Sequence, residues 1–176
     1  MRHSLKPHPD DACDAISRIE VEAVRRESLL ELRYLVTGRV GDVRLPDFTE
    51  PRPGDELWQH SCFEAFIRES GSSAYVELNL APSGEWAAYR FDRYRGGRSD
   101  AEPAPLEFET RRGEDSYELR ASCLLDLPAQ APWQLNLTTI IEEANGGKSY
   151  WALAHPPGKA DFHHDDGFVL HLPAIA

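Results

Sequence analysis

LWQHSCFEAFIRESGSSAYVELNLAPSGEWAAYRFDRYRGG, residues Leu57–Gly97, holds three alternating segments separated by turn residues, and its period decides the fold class. Side chains on a strand point alternately to opposite faces, so Phe63, Ala65 and Ile67 share one face and Glu64 and Arg68 the other, with Cys62 and Phe66. After Ser70–Gly71–Ser72–Ser73, the apolar row Ala74, Val76, Leu78 and Leu80 alternates with Tyr75, Glu77 and Asn79. After Pro82–Ser83–Gly84, Ala87, Tyr89 and Phe91 read inward, which leaves Trp86 and Arg90 outward. The outward faces then gather Glu64, Glu77, Asn79, Trp86 and Arg90. An aromatic plate among carboxylates, an amide and a guanidinium suits a polar ligand with apolar flats, such as a sugar.

The pattern extends in both directions from this block. Ile16–Arg25 and Leu29–Thr37 predict an antiparallel pair, and Leu106–Arg112 with Tyr117–Leu124 a hairpin. Trp133–Glu143, Lys148–His155 and Phe168–Leu172 read as further strands. Residues 1–14 read as a polar N-terminal arm, and Gly38–Asp55, rich in Pro, Gly and Asp, as an irregular connection with a short strand near Val43. Nine to eleven short strands and no convincing helix predict an all-β fold, an antiparallel β-sandwich of jelly-roll type. A chain of 176 residues with 41% hydrophobic content suits one domain over 1–176.

A formal charge of −11, from 19 basic and 30 acidic residues, repels nucleic acid and anionic membranes at long range, so neither is an expected partner. No apolar run approaches the length of a membrane span, and the first residues lack the apolar stretch of a signal peptide, so the expected location is cytoplasmic. Cys13, Cys62 and Cys123 form an odd set without CxxC spacing, which indicates neither a disulfide framework nor a thiolate zinc site.

Trp86, beside a tight turn, and Trp58, beside Gln59 and His60, are the candidates to stack on a sugar ring; either could equally be a rim tryptophan covering the sheet. Glu64, Glu77, Asn79 and Arg90 are the candidates to fix hydroxyls, against the plainer reading of a solvated cross-strand ion pair. Glu64 and Glu77 as acid–base groups would make a sugar-acting, glycoside-hydrolase-like enzyme, provided they flank a scissile bond. The segment His155–Phe168 gathers His155, Asp161, His163, His164, Asp165 and Asp166, residue types that could hold calcium or another divalent ion, although the spacing fits no established motif. A polar loop closing the sandwich is the simpler reading, and that loop could lend Lys159 or His163 to a ligand site.

LWQHSCFEAFI, YVELNLAPSGEWAAYRFDRYR and YWALAHPPGKADFHH together resemble the bacterial DOMON-like proteins related to family 9 carbohydrate-binding modules. The resemblance covers about a third of the chain, over Leu57–Arg95 and Tyr150–His164. It implies a β-sandwich with a sugar-binding face, and family 9 modules grip terminal sugars between tryptophans and use calcium structurally. Trp58, Glu64, Asn79, Trp86 and Arg90 are the positions it carries over. Some proteins of the wider DOMON group bind haem through axial His or Met; Met1 is the only methionine here, which argues against a His/Met pair. The resulting expectation is non-catalytic binding of a small carbohydrate or other polyhydroxylated ligand, with a sugar-acting enzyme or a protein-interaction module as alternatives.

Overall fold

A computed structural model of the chain describes residues 1–11, 13–102 and 106–175. Among these are thirteen strands: β1 (Arg2–Pro7), β2 (Ile16–Arg26), β3 (Leu29–Gly38), β4 (Arg52–Pro53), β5 (Cys62–Glu69), β6 (Tyr75–Leu80), β7 (Glu85–Phe91), β8 (Ser99–Asp100), β9 (Leu106–Arg112), β10 (Ser116–Leu124), β11 (Trp133–Glu142), β12 (Lys148–Ala152) and β13 (Leu170–Leu172). The only helical pieces described are single 3-10 turns at Val40–Asp42, Leu57–Gln59 and Asp165–Gly167. The all-β expectation holds.

The hydrogen-bonded order is β4-β7-β6-β5-β11-β12-β1-β2-β3-β10-β9, with β13 on β11 and β8 on β7. Every named pair is antiparallel except β4 with β7, which is parallel. The two layers are not separate sheets. β1 pairs with β2 through Arg2–Leu5 and with β12 through Lys6 and Pro7, so one strand carries the sheet over onto itself. The polar arm expected over residues 1–14 therefore contains this bridging strand. It escapes a pattern reading because Leu5 is its single buried residue, leaving no alternation to detect.

Between the layers, Val21, Leu32, Tyr34 and Leu119 of one meet Phe63, Leu78, Leu135 and Leu137 of the other. Phe63 packs 5.3 Å from Tyr34 and 5.8 Å from Tyr117, centroid to centroid, and burial of each such side chain contributes about 1.5–3 kcal/mol. At one end, the Arg25 guanidinium lies 3.8 Å over the Trp133 ring. It donates to the carbonyls of Glu27, Pro128, Ala129, Ala131 and Pro173, fastening the 128–131 turn and the C-terminal segment to the core.

The layers differ in what their second face meets. In β3 and β10 buried and open residues alternate along most of the strand, as expected of a sheet with one wet face. In β6 every residue is buried, and in β5 and β11 nearly every one. The back of the β5–β6–β7–β11–β12 layer is therefore covered, by the Leu57–Gln59 turn and the segment 153–169, and there a second apolar cluster forms around Phe66, Tyr75, Phe91, Phe162 and Phe168.

The register of β7 follows from its turn. Ala81 N–H donates to the Glu85 carbonyl at 2.8 Å, and Gly84 holds a φ of +104°, where a Cβ would meet the Glu50 carbonyl oxygen at 2.5 Å. Only glycine fits that close approach. Leu80 then opposes Trp86, Leu78 opposes Ala88 and Val76 opposes Arg90, while Asn79, Glu77 and Tyr75 oppose Ala87, Tyr89 and Phe91.

Candidate functional site

The covered back face holds a cavity of about 870 Å³. Its floor is built by strands: Glu64 and Phe66 from β5, Glu77 from β6, Tyr89 and Phe91 from β7, Ile140 from β11 and Tyr150 from β12. Its walls come from connections. The loop after β1 supplies His8, Asp10 and Asp11, the 54–60 connection Asp55, Glu56 and Trp58, the turn after β7 Arg95 and Arg98, and the C-terminal loop Lys159, Phe162 and His163.

Three expected site residues meet on this face. Glu64 lies directly opposite Asn79, Phe66 directly opposite Glu77, and the Asn79 amide donates to Glu77 Oε1 at 2.7 Å. Trp58 stands at the rim, 53% exposed, with one face of the cavity beside it. Trp86 and Arg90 do not join them. Their common outward face with Glu64 and Glu77 is corrected by the β7 register, which turns both toward the other layer: Trp86 packs against the main core, and Arg90 reaches Asp126 at 3.2 Å. A one-residue change of phase moves a whole strand's side chains across the sheet. Tyr89 and Phe91 take the places expected for them, and Arg95 and Arg98, beyond the strand, bring the cations.

Burial decides the charge state of the floor. Glu64 is only 3% exposed; burial first, and the neighbouring Glu77 second, push its carboxyl well above the ordinary carboxylate range. Thr138 Oγ1 donates to Glu64 Oε2 at 3.3 Å, while Glu64 Oε1 and Asn79 Oδ1 have no hydrogen-bond partner. Burial also raises Glu77, but the Asn79 amide and the Arg98 and Arg95 guanidiniums oppose it. Both carboxyls are thereby raised, Glu64 the more strongly.

His163 is oriented from behind. Arg95 N–H donates to the Tyr75 oxygen at 3.1 Å, and the Tyr75 hydroxyl is hydrogen-bonded to His163 Nδ1 at 2.8 Å. Burial first, and Arg95 second, bring the His163 pKa down to about 4, so the ring is neutral at pH 7, with Nε2 3.8 Å from Glu77 Oε2. Arg98 lies 3.9 Å over the Tyr89 ring, whose hydroxyl donates to Asp55 at 3.0 Å; burial and then Asp55 push the Tyr89 pKa up to about 12.

The candidate ion-binding loop is not gathered into a site. His155 Nε2 meets the Lys6 carbonyl, Asp161 takes Tyr94 and Arg95, Asp165 takes Arg68, and His164 Nδ1 accepts from Asp166 N–H. Each side chain has a different partner, and among the described residues no three His, Cys, Asp or Glu groups converge as metal ligands. Lys159 and His163 do line the cavity, as the loop allowed.

The layered β fold is shared with solved structures. One, from Bacteroides uniformis and provisionally assigned as a carbohydrate-binding protein, superposes with a TM-score of 0.67 at 14% identity, over 96% of this chain and 84% of that one. A family 9 carbohydrate-binding module from Caldicellulosiruptor kristjanssonii, in complex with cellotriose, gives a TM-score of 0.56 at 11% identity, over 90% and 74%. At such identities the likeness concerns the fold. In sequence, the chain is 27% identical over 150 residues to the human UPF0462 protein C4orf33, spanning 72% of this chain and 69% of that protein. No family model matches the chain.

Proposed function

We propose that the cavity binds a small carbohydrate or a comparable polyhydroxylated ligand, without chemistry. The observation that carries this reading is the meeting of two carboxyls, Glu64 and Glu77, on a floor flanked by Phe66, Tyr89 and Phe91, with Glu64 Oε1 unpartnered among the described residues. Hydroxyls satisfy such acceptors, and the CH faces of a sugar ring pack on aromatic rings. The fold supports the reading, since the similar family 9 module was solved holding cellotriose. Trp58, exposed at the rim, would close over the ring.

A thermal-shift screen of mono- and disaccharides against wild type, Trp58→Ala and Glu77→Ala tests this. A shift that both variants lose is the expected result. No shift with any saccharide, or a shift unchanged in both variants, overturns it.

A second reading, hydrolysis of a glycosidic bond, is favoured by one observation: two carboxyls line one cavity, and burial raises Glu64 the more strongly, as a general acid requires. Product release from aryl glycosides that vanishes in Glu64→Gln would establish it, and no turnover by wild type would dismiss it.

A further inference from the structure

We propose, resting on the binding reading above, that the ligand carries a protonated amine and that its ammonium group docks between the Glu64 and Glu77 carboxyls of the cavity floor; the ligand class is then an amino sugar or another amine-bearing polyol. Both carboxyls line the cavity, from adjacent strands. Glu64 Oε1 has no partner although its residue is almost wholly buried. Asn79 Oδ1 has none either, and the amide cannot flip to help, because its Nδ2 is donated to Glu77. Glu77 Oε2 has His163 Nε2 at 3.8 Å, outside hydrogen-bond range. An ammonium has three N–H donors, enough to serve both carboxyls at once, and Glu64 lies opposite Asn79, two residues from Glu77 on the adjacent strand.

A neutral sugar could offer a hydroxyl to each oxygen, but it leaves two carboxyls in one poorly hydrated recess with no charge between them. An ammonium changes the balance: Glu64 gives its proton to solvent, both carboxylates ionise, and the cation sits between them. Phe66 and Phe91 line the same cavity, and aromatic rings favour a cation. The cations nearest Glu77 have occupants of their own. Arg95 is paired with Asp161 at 2.8 Å, and Arg98 is stacked on Tyr89. Asp10, Asp11, Asp55 and Glu56 on the walls outnumber Arg95, Arg98 and Lys159, which argues against an acidic saccharide.

The test is titration calorimetry at about pH 6.5, where an amine of ordinary basicity is charged. The titrants are D-glucose, D-galactose and D-mannose, each beside its 2-amino-2-deoxy and N-acetylamino form, in two buffers of different ionisation enthalpy. The expected result is that at least one amino sugar binds about tenfold more tightly than both its parent and its N-acetyl form, and releases a proton. Glu64→Gln, a neutral isostere, should lose both the preference for the amino sugar and the proton release. Equal binding of amino and parent sugars without proton release overturns this inference and leaves saccharide binding standing. Binding by none of the compounds overturns both.

Discussion

Replacing Glu64 with glutamine should make the protein more stable, and increasingly so as the pH rises. The side chain is 3% exposed, and burial together with Glu77 raises its carboxyl well above the ordinary value of 4.5. The folded state therefore holds the proton more tightly than the unfolded chain does. The stability that this proton confers is full below about pH 4.5 and is lost as the pH climbs through the raised folded value. Within that window the loss is about 1.4 kcal/mol per pH unit. Glutamine keeps the size, accepts from Thr138, and adds an N–H donor beside the unpartnered Asn79 oxygen, with nothing to ionise. Urea unfolding followed by tryptophan fluorescence between about pH 5 and 8 measures the difference. The gap in favour of the variant should widen as the pH rises, by up to about 1.4 kcal/mol per unit for as long as the pH lies below the raised folded value. Parallel curves across the range, or a variant less stable at the alkaline end, would refute the claim that Glu64 is held as the neutral acid.

His163 should act in the opposite direction: its folded pKa of about 4 lies below the ordinary 6.5, so the stability it contributes is present above pH 6.5 and is lost as the pH falls toward 4, by up to about 3 kcal/mol relative to His163→Gln in the same unfolding assay. Arg25→Ala removes the clamp on five carbonyls and the stack on Trp133, and should cost roughly 3 kcal/mol in urea denaturation, whereas an unchanged midpoint would show that water replaces the guanidinium. Gly84→Ala places a Cβ against the Glu50 carbonyl at positive φ and should cost about 1–3 kcal/mol, seen as a lowered melting temperature. Trp58→Ala, at an exposed rim, should shift stability by less than about 0.5 kcal/mol in the same melt while abolishing any saccharide-induced shift.

The strands with one wet face were the most legible. β3 and β10 alternate cleanly, and their expected spans, Leu29–Thr37 and Tyr117–Leu124, agree with the structure to within a residue. β7 shows where the period fails. In EWAAYRF, Trp86 and Ala88 are as acceptable inside as Ala87, Tyr89 and Phe91, and both faces of this layer are covered, so apolar content cannot select the phase. The turn at Gly84 selects it, through a backbone approach that no side-chain pattern reports. Glu64, Glu77 and Asn79 were legible as one face because β5 and β6 each carry a full apolar row opposite them. Arg95 and Arg98 were not, because they sit in a turn where no period applies; their signal is the cluster of guanidiniums just beyond a strand that ends on the same floor. In the His/Asp loop, residue types that could suit a metal are distributed among Lys6, Tyr94, Arg95 and Arg68, which composition alone does not reveal.

The bridging role of β1 has a kinetic consequence. Lys6 and Pro7 find their pairing positions only on Ala152 and Trp151, so the layers cannot be joined until chain segments far apart in sequence have met. Closing so long a loop is slow, and until it closes the β12 margin presents unpaired amides to any other extended chain. Refolding should therefore be concentration-sensitive, with misassembly starting at that seam.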